Sequence, residues 1–198
     1  MKKIAIVGTH GVGKTTLCKA LAEYAKAQGK KVESVGEVVR DCPYPIHREM
    51  TYKAFEWTAM AQILREREAE RTNPNLIVCD RSAFDTYIYM RYFIDSNKIS
   101  VNEQELFCTI HSYLRHYLFT YDYIVLVEPT TKSIENDGFR DTNLKIQKEI
   151  SAIFALTFTS ENRIYSLAGI KNADKIVESH SIFYNPSIIA KEIYECLY

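Results

Sequence analysis

The chain has 198 residues, enough to bury one sizeable core and too few for two domains of ordinary size, so residues 1–198 are expected to form a single unit. Its 25 basic and 25 acidic residues cancel, which excludes a global field drawing it to nucleic acid or an anionic membrane but leaves room for a local basic groove. Cys18, Cys42, Cys79, Cys108 and Cys196 form an odd set without metal-ligand spacing, three of them in apolar contexts, and no apolar run approaches membrane-spanning length, which together point to a reducing, cytoplasmic setting with no membrane partner.

Lys3 to Val7 reads as a first strand, and Gly8 follows too soon for the preceding residues to be a signal-peptide core. Next comes Gly8-Thr9-His10-Gly11-Val12-Gly13-Lys14-Thr15, which satisfies G-x-x-x-x-G-K-[ST] in full, with Gly11 adding a glycine to the bend. Its chemistry explains the spacing. Glycines let successive backbone N–H groups turn inward around an anion, and the helix that follows adds its positive end. Lys14 reaches the β- and γ-phosphates, and the Thr15 hydroxyl can hold Mg²⁺. Gly8, His10, Gly11, Val12, Gly13, Lys14, Thr15 and Thr16 are therefore the candidate contacts to a nucleoside triphosphate, with ATP and Mg²⁺ the expected cofactors. Chance supplies such a pattern in under about 1% of chains of this length.

A helix from Lys14 to Gln28, with Leu17, Leu21 and Tyr24 at helical spacing, stops at Gly29, and a second strand runs from Lys31 to Val35. Glu37, Arg40 and Asp41 follow it. They read either as a carboxylate that accepts a hydroxyl proton with an arginine one turn on, or as first-turn acids of a short helix with a solvated neighbour. Met50 to Arg71 forms a long amphipathic helix with Ala54, Trp57, Ala61 and Leu64 on one face. Trp57 is better read as core than as a stacking platform, whereas Gln62 is a candidate to hydrogen-bond a base or carboxamide.

Leu76 to Cys79 is an apolar third strand that delivers Asp80 and Arg81 at its C-terminal end, where ligands bind in open parallel sheets. Asp80 is a candidate to hold a magnesium-bound water, and Arg81 to stabilise phosphoryl charge. Ser82 and Asp85 read as a helix cap, which leaves Asp80 and Arg81 unexplained by capping. Helices follow near Ala83 to Asp95 and Asn102 to Phe119, then a fourth strand, Tyr123 to Val127. The tyrosines at 87, 89, 92, 113, 117, 121 and 123 read as core fillers. Residues 130–143 are polar and carry Asp137-Gly138, so they read as a candidate lid or a surface turn. A helix from Leu144 to Ser160 has Lys145 and Lys148 as solvated charges. A fifth strand, Arg163 to Leu167, and a last helix, Pro186 to Leu197, close the chain. Strands alternating with helices predict an α/β fold with a parallel sheet covered on both faces.

Three segments together, Gly-Thr-His-Gly-Val-Gly-Lys-Thr-Thr-Leu, Gly-Glu-Val-Val-Arg at 36–40 and Cys-Asp-Arg-Ser-Ala-Phe-Asp-Thr-Tyr at 79–87, resemble the small P-loop kinases of the nucleoside and nucleotide kinase superfamily. The nearest flavours are nicotinamide riboside kinase domains, deoxynucleoside and thymidylate kinases, and ATPases of that branch. The resemblance implies a three-layer P-loop NTPase sandwich with a five-stranded parallel sheet in the order 2-3-1-4-5. It implies catalytic roles for Lys14, Glu37, Arg81 and Arg140, with Glu37 activating the acceptor hydroxyl and Arg140 closing over the transferred phosphate from the lid. Arg40, Gln62, Glu37 and Arg81 would face the acceptor, and Thr15 and Asp80 the metal. The sequence departs from deoxynucleoside kinases in having Asp80 where they usually place Glu. The expected activity is transfer of the γ-phosphate of Mg-ATP to a nucleoside- or nucleotide-like acceptor. An ATPase or nucleotide-dependent binding module and a kinase acting on nucleic acid are the alternatives. Oligomeric state is left open, a homodimer included.

Overall fold

Apolar residues at every position after Lys3 in the first predicted strand and throughout the third require a sheet buried on both faces, and that is what forms. The computed structural model describes residues 1–46, 50–95, 101–129, 144–158, 164–166 and 185–198. Strands β1 (Lys2–Val7), β2 (Val32–Val35), β3 (Leu76–Asp80), β4 (Tyr123–Leu126) and β5 (Ile164–Ser166) make one sheet in the order β2-β3-β1-β4-β5. All its pairings are parallel, with Ile6 opposite Asp80 and Val7 opposite Leu126. β3, between two strands, is buried at all five positions. β2, at an edge, leaves Ser34 exposed and buries only Val35.

Alternation along β1 divides the core. Ile4 and Ile6 face one layer with Leu17, Leu21 and Ala25 of α1 (Lys14–Ala27) and Ile189, Ile193 and Leu197 of α6 (Pro186–Leu197). Ala5 and Val7 face the other, built from α2 (Tyr52–Arg71), α3 (Ala83–Asp95), α4 (Val101–Tyr117) and α5 (Leu144–Phe158), with Phe55, Ile88, Leu114 and Phe154 at its centre. Helices on both faces of the sheet make the three-layer sandwich expected from the sequence.

Local chemistry sets the helix ends. α1 is closed by Gly29 at φ 75°, where the Lys30 N–H reaches the Ala25 carbonyl at 3.1 Å in a Schellman-type ending. α6 starts with Pro186 after Asn185, whose side chain accepts from the Ser187 N–H at 3.1 Å. At α3, Ser82 Oγ accepts from the Asp85 N–H at 3.3 Å while Asp85 Oδ2 accepts from the Ser82 N–H at 2.8 Å, a reciprocal capping box.

Two expectations are corrected. The buried face of α2 is Tyr52, Ala54, Phe55, Thr58, Ala59, Gln62, Ile63, Glu66 and Ala69; of the expected stripe Ala54 is buried, Trp57 and Ala61 are half-buried, and Leu64 is 60% exposed. Small and polar core residues hid the true face, and the expected stripe turns from the core at Ala54 to solvent at Leu64. Only Cys18 and Cys79 are buried, while Cys42 is intermediate and Cys108 and Cys196 are exposed. A short 3₁₀ helix, Val38–Asp41, follows Glu37, and another, Leu118–Thr120, ends the α4 segment. Among the described residues no helix is long and apolar enough to cross a membrane.

Candidate phosphate and acceptor site

The C-terminal ends of β1, β2 and β3 bring three sequence segments to one edge of the sheet. Gly8 leaves β1 at φ 137°, and a Cβ there would run into the Val127 carbonyl oxygen just past β4, so both its conformation and this contact demand glycine. Gly11 (φ 73°) and Gly13 (φ 87°) bend the loop again before α1, whose first turn carries no acidic residue. Val12 points down into the α1–α6 core layer and anchors the bend, and Thr16 is exposed. The loop thus brings backbone N–H groups and a positive helix end to one place.

Lys14 folds back over this loop, with Nζ donating to the Thr9 carbonyl at 2.6 Å. It is 6% exposed. Burial, reinforced by the nearby Arg81, brings its ammonium pKa from 10.5 down to about 8. A buried ammonium held by one carbonyl is a charge in want of an anion.

On the neighbouring strand, Asp80 is 4% exposed and accepts from the Thr15 hydroxyl at 2.6 Å through Oδ2. Its other oxygen, Oδ1, is buried and has no hydrogen-bond partner among the described residues. A hydroxyl beside a carboxylate with a spare oxygen suits Mg²⁺, which takes few protein ligands and completes its shell with waters and phosphate oxygens. Among the described residues no group of three or more His, Cys, Asp or Glu side chains forms a metal cage. The donors therefore fit a metal that arrives with phosphate.

Arg81 adopts φ 82°, a left-handed conformation costly for a residue with a Cβ. Its Nε donates to Glu37 Oε1 at 2.6 Å, and its Nη1 lies 3.4 Å from the Gly8 carbonyl and 3.5 Å from Asp85 Oδ1. Its guanidinium also sits 5.5 Å from the centre of the Tyr89 ring. Glu37 takes a second arginine on its other oxygen, with Arg40 Nε at 2.8 Å from Oε2. Its side chain caps nothing, although it stands at the N-cap of the 3₁₀ helix. Burial alone would push the Glu37 carboxyl up, but Arg81 and Lys14, with hydrogen bonds from both arginines, hold it well below the usual carboxylate range. Asp85 moves the other way: burial raises it despite Arg81 and Lys14.

The structure thus gathers Gly8, Lys14, Thr15, Glu37, Arg40, Asp80 and Arg81 at one edge, linked by bonds from loop to strand to strand. It does not place Gln62 there. That amide is 2% exposed and donates to Glu66 Oε1 at 2.9 Å and to the Arg81 carbonyl at 3.4 Å, on the core side of the arginine. Arg140 and the candidate lid, 130–143, lie outside the described residues.

Sequence reasoning missed three contributors. Gln147 of α5 is buried and donates to the His10 carbonyl at 2.8 Å, which ties the loop to a helix far along the chain. Tyr89, read as a core filler, is half-buried, with its ring under Arg81 and its hydroxyl 3.4 Å from His10 Nδ1. Asp85 is both a cap and a partner of Arg81. A signal for Asp85 existed in its spacing of four from Arg81, whereas nothing local marked Gln147 or Tyr89.

A family model described as an AAA domain matches residues 3–166. No curated protein matches the sequence. Among solved structures, a deoxyadenosine kinase from M. mycoides with bound dATP is similar at 20% identity and a TM-score of 0.62, over 90% of this chain and 98% of that one. The same kinase with products dCMP and a flexible dCDP gives 18% and 0.58, over 89% and 95%. The NadR protein in complex with NR gives 16% and 0.68, over 98% of this chain and 51% of that one. At these identities the likeness is one of fold.

Proposed function

The chain belongs to the AAA domain family, and from that premise and the site we propose that it is an ATP-dependent kinase passing the γ-phosphate of Mg-ATP to a hydroxyl or phosphate of a nucleoside- or nucleotide-like acceptor. One observation carries the reading: Glu37, ionised and held from both sides by Arg81 and Arg40, stands across from Lys14 and the Thr15–Asp80 pair at the edge of the sheet. A carboxylate beside the phosphate loop can position water in a switch ATPase or an acceptor in a kinase; the two arginines that brace it favour the acceptor, because they bring charge to where the transferred group would develop it. The names of the structural neighbours, a deoxyadenosine kinase and a protein bound to NR, agree with a nucleoside-like acceptor.

In this reading the loop N–H groups and Lys14 bind the β- and γ-phosphates, and Thr15 and Asp80 hold Mg²⁺, which offsets negative charge on the phosphate oxygens. Arg81 is shared. While its Nε stays on Glu37, the carboxylate is a weak base, and drawing the guanidinium toward the γ-phosphate restores basicity to Glu37. Glu37 then takes the acceptor proton as the acceptor oxygen bonds to the γ-phosphorus and the bond to the bridging oxygen breaks, leaving ADP. Arg40 keeps Glu37 aimed throughout. Arg140, outside the described residues, is proposed to add positive charge at the transferred phosphate.

The test is Glu37→Gln. Transfer is expected to fall at least about 10²-fold, the usual range for a general base, while titrated Mg-ATP affinity holds within a few-fold. A variant that transfers at the wild-type rate would remove Glu37 from the chemistry, whereas a wild-type protein that hydrolyses ATP without an acceptor and loses that hydrolysis in Glu37→Gln would favour the ATPase reading.

A further inference from the structure

Arg81 is held in its left-handed conformation by groups the reaction never touches. Its N–H donates to the Ile6 carbonyl at 3.0 Å, and its carbonyl accepts from Gln62 Nε2 at 3.4 Å. Two residues on, the Ala83 N–H donates to the Tyr121 hydroxyl at 3.4 Å. Gln62 and Tyr121 converge on the same atom, Glu66 Oε1, at 2.9 and 2.6 Å. Glu66 is fully buried, and its Oε2 accepts from Tyr117 at 3.1 Å and from Lys3 Nζ at 3.2 Å. Lys3 is itself 1% exposed, with Glu70 at 2.9 Å and the rings of Tyr117 and Tyr121 at 4.9 and 4.8 Å.

Chemistry fixes the direction of each bond. Both partners of Gln62 Nε2 are acceptors only, so the amide has one productive orientation, nitrogen toward Arg81. Glu66 can accept from four donors at once only as a carboxylate, and Lys3 balances that charge. A Leu at 62 or 66 would pack a core equally well, so a chain of polar groups buried this deep is not explained by packing.

We propose that Glu66 and Gln62 are positioning residues: through Gln62 on the residue 81 carbonyl and Tyr121 on the residue 83 N–H, the buried carboxylate clamps the Arg81–Ala83 turn and so aims the Arg81 guanidinium at Glu37 and the phosphate loop. The role in transfer rests on the kinase reading; the clamp itself does not. Releasing the carbonyl of Arg81 removes a restraint on a strained dihedral, and the turn relaxes toward negative φ. The guanidinium then swings off Glu37, with the nucleotide loop itself unchanged.

The experiment reads Arg81 directly, by the ¹⁵Nε–H signal of ligand-free protein labelled on arginine and assigned by its disappearance in Arg81→Lys. In the wild type this proton, donated to Glu37, is expected to exchange slowly. Gln62→Met keeps the volume and removes the donor. Its Arg81 signal should move and exchange about tenfold faster or more, and kcat for transfer should fall about tenfold with the KM for Mg-ATP nearly unchanged, the pattern of a mis-aimed catalytic group. Should Gln62→Met not fold, Tyr121→Phe reads the second arm, with a smaller change of the same sign. An Arg81 signal identical to wild type in the folded variant overturns the proposal. A shifted signal in a protein that transfers nothing would keep the clamp and sink the kinase reading. Transfer that ignores Gln62 while Arg81 stays put would do the reverse.

Discussion

Replacing Lys14 by Met should make the ligand-free protein more stable and deaf to ATP. The folded pKa of Lys14 is about 8 against 10.5 in an unfolded chain, so between those values the unfolded chain binds more protons and stability rises with pH. Below about pH 8 the penalty is present in full and amounts to about 3 kcal/mol. Met fills the same buried space without it. The substitution also loses the bond from Nζ to the Thr9 carbonyl, worth about 1 kcal/mol. A net gain of about 2 kcal/mol corresponds to a rise in Tm of roughly 4–8 °C for a chain of this size. Scanning calorimetry at pH 7 measures it, and a repeat at pH 9.5 should find the gap well under half, because the wild-type penalty is then mostly relieved. Saturating Mg-ATP at a hundredfold over its Kd should stabilise the wild type by about 2.7 kcal/mol and leave the variant where it was. A variant that melts below wild type at pH 7, or a gap indifferent to pH, would refute the view of Lys14 as a buried charge held ready for phosphate.

The same pKa predicts that Mg-ATP affinity, titrated calorimetrically, is flat up to about pH 8 and weakens above it as Lys14 loses its proton; affinity flat through pH 10 would contradict this. Arg81→Lys should keep a charge but lose the fork that spans Glu37 and the loop, with transfer falling on the order of 10²-fold in steady-state kinetics. Lys3→Met should strand the Glu66 carboxylate and cost about 3–5 kcal/mol in urea unfolding, most of it recovered when Glu66 is replaced by Leu in the same chain.

Where one residue type can do one thing, the chain was readable. The phosphate loop combines three glycines, a lysine and a hydroxyl, and the structure gives Gly8, Gly11 and Gly13 the positive φ that such a bend requires. Apolar runs located β1, β3 and β4, and turn and cap residues located the end of α1 and the start of α3. α2 was misjudged because its inner face carries Gln62 and Glu66, whose polarity is paid for by Lys3, Tyr117 and Tyr121 from other elements. Periodicity sees only one helix at a time. Glu37 and Arg81 were visible as chemistry at strand ends, but that they pair at 2.6 Å, and that Arg81 sits on Tyr89, follows from the strand order and from no local pattern.

The central claim is phosphoryl transfer to a small acceptor, and the most direct measurement is the fate of γ-labelled phosphate from Mg-ATP. The protein is offered pooled nucleosides, nicotinamide riboside, nucleoside monophosphates and oligonucleotides, with Lys14→Ala as the control. The account predicts label in a nucleoside or nucleotide product, absent from the control, and little hydrolysis without acceptor. Label released only as inorganic phosphate, at a rate no pool alters, would contradict it.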